Sequence, residues 1–257
     1  PLRPTATSPE AVAAAFEAFS LAVIDAVAAS VPAIKPQSAC YERLGWRGVR
    51  VLETVIAAAR DRGLEVLLDV KRGDIGLTAG HYAAAARGAG AGWATASPYL
   101  GVDGLEPLLA EGLGVFSLVR TSNPGGDRLQ SRSLAEPAGD CVADAVAELV
   151  AEAGRSRIGE RGYSSLGAVV GATKPRDAAR LRDRMPRQIF LVPGYGAQGG
   201  GVDDVLPCFD ASGRGAVVTA SRSVLHPTTP QDPGWAGAIA DAAAELAETI
   251  GVAVGLR

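Results

Sequence analysis

The stretch Val66-Leu67-Leu68-Asp69-Val70-Lys71-Arg72-Gly73-Asp74-Ile75-Gly76-Leu77-Thr78 begins apolar, turns abruptly charged and then becomes glycine-rich. A short apolar run that stops at such a break reads as a strand, here Glu65–Lys71. Side chains alternate along a strand, so Asp69 and Lys71 share one face while Leu68 and Val70 take the other. With the aliphatic pair packed on helices, the charged pair points into the mouth of a barrel, and Asp74 follows at the start of the next helix. A strand-end salt bridge followed by an N-cap aspartate would leave the same D-x-K-x-x-D trace. Its position at a strand terminus, inside a repeating strand–helix pattern, weighs toward chemistry.

That pattern extends in both directions. Further strands are expected at Val31–Gln37, Trp93–Ser97, Val115–Thr121, Leu166–Thr173, Gln188–Gly194 and Ala216–Ser221. Amphipathic helical stretches separate or flank them: Glu10–Ala29, Arg47–Arg62, Ala79–Arg87, Leu134–Ala153, Pro175–Arg184 and Trp235–Ile250. Strand alternating with helix implies a parallel sheet. A doubly wound sheet would carry its phosphate-binding glycines after the first strand. Here they come late, which favours a TIM-type (β/α)8 barrel. Seven strands are countable and the chain opens into a helix, as a barrel lacking its first strand would. The 257 residues suit one such barrel domain spanning residues 1–257. Ser122–Arg132, rich in Gly, Asn and Ser, reads as a long loop.

Composition excludes several classes. A net charge of −3 gives no basic footprint for nucleic acid. No apolar run approaches the ~20 residues of a membrane span. Cys40, Cys141 and Cys208 match no metal or redox spacing and suit buried thiols in a reducing cytoplasm. His81 and His226 form no H-E-x-x-H pattern, so zinc is not expected. The opening Pro1-Leu2-Arg3-Pro4-Thr5 is neither a signal peptide nor an initiator, and a piece upstream is expected.

Other strand ends carry polar cargo as well. Lys35 closes Ala33-Ile34-Lys35-Pro36-Gln37 and is the only lysine before Lys71. Beside Asp69 and Lys71 it would complete an alternating array of charges. Thr121-Ser122-Asn123-Pro124-Gly125-Gly126 follows one strand and Pro193-Gly194-Tyr195-Gly196-Ala197-Gln198-Gly199-Gly200-Gly201 another. Thr219-Ala220-Ser221-Arg222-Ser223 follows the last. Glycines let backbone N–H groups approach an anion, and an arginine grips phosphate bidentately. Barrels often hold phosphate between the last two strand–helix loops, where Gln198 and Arg222 fall. Tight turns would account for the glycines alone.

Taken together, the segments from Lys35 to Ser223 resemble orotidine 5′-phosphate decarboxylase, in the bacterial type 2 branch where the strand lysine stands in a K-P-Q context. D-x-K-x-x-D alone is shared with sister barrels; S-N-P-G, P-G-x-G-x-Q-G-G and S-R-S make the match specific. The resemblance implies cofactor-independent conversion of orotidine 5′-phosphate to UMP and CO2, the last step of pyrimidine nucleotide synthesis. It implies that Lys71 protonates C6, that Asp69 lies against the departing carboxylate and that Lys35 holds the ribose hydroxyls. Asp74, Ile75 and Thr78 would reach a neighbouring subunit's site in a cytoplasmic homodimer, with Asp74 counted among the catalytic groups. Ser122 would read the pyrimidine edge, with Pro193, Gln198, Ser221 and Arg222 around base and phosphate. The family's first-strand aspartate, which binds ribose in a G-I/L-D-P context, has no counterpart here. Two alternatives stand beside this one. The first is a magnesium-dependent sister barrel, a keto-gulonate-phosphate decarboxylase or hexulose-phosphate synthase. The second is an inactive nucleotide-binding barrel.

Overall fold

The computed structural model describes residues 8–196, 198–228 and 232–256. Among them seven strands form one sheet in the order β1 to β7. They are β1 (Ala33–Ile34), β2 (Glu65–Arg72), β3 (Trp93–Ala96), β4 (Gly114–Arg120), β5 (Ser164–Val170), β6 (Gln188–Val192) and β7 (Ala216–Val218). Every neighbouring pair is parallel. Helices α1 (Pro9–Val27), α2 (Ser38–Glu42) and α3 (Trp46–Asp61) flank β1, and α4 (Gly76–Gly88) and α5 (Glu106–Ala110) flank β3. After β4 come α6 (Asp127–Gln130) and α7 (Val142–Ala153), and after β5 comes α8 (Pro175–Arg184). The chain continues through α9 (Val202–Val205), α10 (Arg222–Leu225) and α11 (Trp235–Ala253).

Side-chain alternation sorts the strands into two faces. Leu67, Phe116, Val169 and Leu191 form one buried cluster that also takes in Ala33, Trp93 and Val217, so all seven strands contribute to a single interior. This shared face is the concave inside of a curled, barrel-type sheet whose edge strands β1 and β7 do not pair among the described residues. Trp93 and Phe116 stack there with centroids 4.5 Å apart. Gly114 leaves room for the indole, since a Cβ at that position would meet the ring at 2.2 Å. The opposite faces, carrying Val66, Leu68, Val115, Val119, Ala168, Phe190 and Val192, pack on the helices. Helix α3 lays Val51, Leu52, Val55, Ile56 and Ala59 on this layer, the i, i+3/i+4 stripe of an amphipathic helix. Full burial of a side chain such as Ile56 contributes roughly 1.5–3 kcal/mol.

The edges of the sheet are β1 and β7. Helices α1, α10 and α11 pack together beside them through Val27, Val224, Ile239 and Ala243, with Phe19 and Trp235 stacked at 5.5 Å. Helix α1 starts cleanly because Ser8 accepts a bond from Ala11 N at 3.2 Å and Pro9 supplies the fixed φ of a first turn.

Three expectations need correction. The strand expected over Val31–Gln37 shortens to Ala33–Ile34, because Pro36 has no N–H for the ladder; pairing resumes only at the Gln37–Asp69 bridge. The helix expected from Leu134 begins at Val142, since Pro137 and Gly139, at φ 94°, interrupt the pattern. The loop expected over Ser122–Arg132 contains a 3-10 turn at Pro124–Gly126 and then α6.

Candidate active site

The strand pattern carries Lys35, Asp69 and Lys71 to the carboxyl ends of β1 and β2. Asp69 is buried, at 8% exposure, and its two oxygens are divided between the lysines. Lys35 Nζ donates to Oδ2 at 2.9 Å and Lys71 Nζ to Oδ1 at 2.5 Å. Burial pushes the Asp69 carboxyl up, but the charges and hydrogen bonds of Lys35 and Lys71 outweigh it and hold the group below the ordinary carboxylate range. The result is an ionised carboxylate between two ammonium groups. Lys71 is about half exposed, with its side chain at 48%, while Lys35 is at 17%.

Alternation alone does not bring Asp69 and Lys71 together. Leu68 pairs with Ala94 but Arg72 pairs with Ala96, so the register slips across Asp69, Val70 and Lys71. Lys71 takes φ 46°, in the left-handed region that ordinary residues avoid. Leu68 and Val70 do pack on the helix side. Asp74 is not the N-cap of α4: Ile75 holds that position, and Asp74 Oδ1 accepts from the Ile75 N–H at 2.8 Å. Among the described residues no ion pair joins Asp74 to Lys35 or Lys71. Among the described residues Asp74, Ile75 and Thr78 make no hydrogen bond or ion pair with the charged cluster, and they lie on a surface where Ile75 is 53% and Leu77 80% exposed.

The Ser122 segment and the glycine-rich segments after β6 and β7 converge on each other. Gly171, just past β5, lies so close to Ser122 that a Cβ would sit 2.7 Å from Ser122 Cα and 2.8 Å from its N. Gly194 requires its glycine through φ 101°, and its Cβ position would lie 3.2 Å from Ser122 Cβ, 3.5 Å from Gln198 Oε1 and 3.6 Å from Thr173 Cγ2. Thr173 Oγ1 donates to the Ser122 carbonyl at 3.0 Å. Gly196 approaches the Ser223 side chain, its Cβ position being 3.2 Å from Ser223 Oγ, which joins the loop after β6 to the residues after β7. Pro193 and Gln198 lie on the first of these, Ser221 and Arg222 on the second, and both Gln198 and Arg222 are exposed.

The Ser122 loop is itself tethered by a residue that sequence patterning overlooked. A bulge in β4 sets Arg120 opposite Val170, on the helix-facing side, at 3% exposure. Its guanidinium donates to Asp177 and Asp127, each at 2.6 Å, and to Ser131 at 3.0 Å. Lys174 closes the same cluster by donating to Asp127 at 2.7 Å. Gln130 Oε1 accepts the Thr121 N–H at 2.9 Å, so α6 folds back on the strand end. Among the described residues no group of three or more His, Cys, Asp or Glu side chains converges as metal ligands.

A curled parallel sheet whose strand ends carry a D-x-K-x-x-D charge array and two adjoining glycine-rich loops defines a class, the α/β barrels of that sequence type. Within it the chain belongs to the Orotidine 5'-phosphate decarboxylase / HUMPS family, whose model matches residues 12–232. Orotidine 5'-phosphate decarboxylase of Rhodopirellula baltica is 47% identical over 228 residues, covering 84% of this chain and 74% of that protein. The protein of the same name from Deinococcus radiodurans is 44% identical over 213 residues, covering 80% and 76%. The solved structure of Leishmania donovani UMP synthase matches with a TM-score of 0.82 at 36% identity, over 98% of this chain and 52% of that one. This chain therefore spans about half the length of that protein. Leishmania donovani OMP decarboxylase matches with a TM-score of 0.78 at 33% identity, over 98% and 91%.

Proposed function

We propose that this chain decarboxylates orotidine 5′-phosphate to UMP and CO2 without a cofactor. The observation that carries the reading is Asp69, buried and ionised between Lys35 and Lys71 at the strand ends. Its setting is a family whose 47% and 44% identical relatives bear that activity in their names. Decarboxylation breaks the bond between C6 and the carboxylate carbon, and the electron pair stays on C6, where no π-system can spread it. A fixed ammonium beside that carbon stabilises the developing charge and then gives it a proton. Lys71 is the proton donor in this reading. Asp69 faces the departing carboxylate and fixes Lys71, while Lys35 reaches the ribose hydroxyls. Ser122 meets the pyrimidine edge, and Pro193, Gln198, Ser221 and Arg222 enclose base and phosphate. Phosphate and ribose contacts remote from C6 supply binding energy that closes the loops over the base.

The same reading makes the protein a homodimer in which Asp74, Ile75 and Thr78 enter the partner's site. Support comes from the apolar surface around them: Ile75, Leu77, Tyr99 and Leu100 are all exposed, Tyr99 at 83%. Beside Ile75, Asp103, Glu106, Pro107 and Ala110 line a hollow. No described helix is long and apolar enough to cross a membrane, and we place the enzyme in the cytoplasm with other nucleotide-synthesising chemistry.

The deciding experiment follows the absorbance of orotidine 5′-phosphate on conversion to UMP, with EDTA present. Turnover that EDTA leaves intact and Lys71→Ala abolishes is the expected result. Turnover that requires magnesium would favour a sister sugar-phosphate barrel. UMP binding without turnover would leave a nucleotide-binding barrel.

A further inference from the structure

Thr95 lies within β3 at 2% exposure, two residues beyond the interior-facing Trp93. A hydroxyl has one proton to give and two lone pairs to accept with. Both lone pairs of Thr95 are engaged, by Val70 N at 3.0 Å and Lys71 N at 2.8 Å. Its proton therefore goes to Asp69 Oδ1, 3.0 Å away. Saturated on all sides, the hydroxyl is a fixed donor to the carboxylate and a fixed acceptor for two consecutive amides.

Those three bonds occupy the place where β2 leaves regular pairing. With Leu68 opposite Ala94 and Arg72 opposite Ala96, Thr95 alone faces Asp69, Val70 and Lys71. Lys71 is the one non-glycine residue with positive φ among the described residues. A side chain persists in that region only where its surroundings over-determine it, and such strain collects at functional sites. Ordinary strand geometry would hand the amides of Val70 and Lys71 to backbone carbonyls; here a side chain takes both.

We infer that Thr95 is a positioning residue for the decarboxylation: its hydroxyl holds Lys71 in the left-handed conformation that aims the ammonium, and holds Asp69 between the two lysines. It acts through Asp69 and Lys71. The inference rests on the decarboxylase reading of this site and adds to it a group outside the charged array.

Thr95→Val keeps the volume and removes the hydroxyl, while Thr95→Ser keeps the hydroxyl and removes a methyl. In Thr95→Val the Lys71 backbone is free to relax and its ammonium to swing from C6. The expected kcat falls roughly tenfold or more, as for other small misplacements of a reacting group. UMP affinity should stay within about twofold, because the phosphate loops on β6 and β7 are untouched. The acid limb of the kcat profile should move to higher pH, since Asp69 loses a donor that favours its charged form. Thr95→Ser should recover most of the rate and the parental profile. Equal impairment of Val and Ser variants, a parental rate in Thr95→Val, or UMP affinity falling in step with kcat would each overturn the assignment. A second readout is independent of activity: amide hydrogen exchange at Val70 and Lys71 should quicken in Thr95→Val and stay slow in Thr95→Ser. Unchanged protection in Thr95→Val overturns the inference even if the parent proves inactive toward orotidine 5′-phosphate, an outcome that by itself removes only the decarboxylase reading.

Discussion

Replacing Gly171 by alanine tests how tightly the site depends on one close approach. The new Cβ would stand 2.7 Å from Ser122 Cα and 2.8 Å from Ser122 N. Carbon–carbon contact becomes comfortable near 3.5 Å, so backbone must yield by about 0.8 Å. Neither neighbour is the free end of a flexible side chain. Thr173 holds the Ser122 carbonyl, and Arg120 and Gln130 tether the segment on its other side. Displacement therefore falls on Ser122 itself. Misplacement by about 1 Å costs on the order of a hundredfold, so kcat/KM for orotidine 5′-phosphate should drop roughly 10- to 100-fold. Overpacking should cost about 1–3 kcal/mol, a few degrees in Tm for a chain of this size, leaving the protein folded. Inhibition by inorganic phosphate should be unchanged, because the Gln198 and Arg222 loops lie beyond the clash. Gly237→Ala, inside α11 with nothing within 4 Å of the new Cβ, is the control and should leave activity intact. A Gly171→Ala enzyme with parental kcat/KM would refute the steric argument. Phosphate inhibition lost in proportion would refute its localisation to the pyrimidine side.

Arg222→Ala should raise KM far more than it lowers Lys71-dependent chemistry on a substrate lacking phosphate, measured by comparing orotidine with orotidine 5′-phosphate. Lys71→Ala should abolish turnover while UMP still binds, as titration calorimetry would record; residual turnover near the parental rate would remove Lys71 from its role. Arg182 is 8% exposed, and its five N–H donors all reach the carbonyls of Met185, Gln188, Cys208 and Gly215, while its guanidinium lies 3.6 Å from the Phe190 ring centroid. Burial pushes its pKa down to about 10, yet it stays charged at neutral pH. Arg182→Met strands those carbonyls and should cost about 3 kcal/mol or more in urea unfolding, with a parental midpoint as the contrary outcome. Asp69 has a folded-state pKa below its unfolded value, so its stabilisation is complete above the ordinary carboxylate pKa of about 3.9 and drains away as pH falls through the folded value. The stability gap between parent and Asp69→Asn should be widest near neutrality and narrow below pH ~4; a gap that grows on acidification would contradict the ion-paired assignment.

Much of the fold was legible in the residues because it is local. The apolar runs and amphipathic intervals predict seven strands in chain order, and Pro137, Gly139 and Pro36 are visible interruptions that override that periodicity. Asp69 and Lys71 stand two residues apart, so the charged pair was legible as a pair, but their meeting depends on the slipped register and the left-handed backbone of Lys71. Of the chain's lysines, Lys35 and Lys71 flank Asp69 and Lys174 grips Asp127, a concentration that composition alone hinted at.

The remainder depended on which strand lies beside which, and at what register. Thr95 was one polar residue in an apolar strand until the slipped pairing with β2 set it under three consecutive residues. Arg120 would face the interior by simple alternation; a bulge turns it outward onto Asp177. Gly171 fell inside one expected strand and Gly194 at the end of another; the close approach of Ser122 gives the first a steric reason, and a φ of 101° gives the second a conformational one. Period and chain spacing determine what a sequence does over a few residues. Contacts across 25, 50 or more residues are set by register and packing, which no local pattern encodes, and there the tertiary structure alone decided.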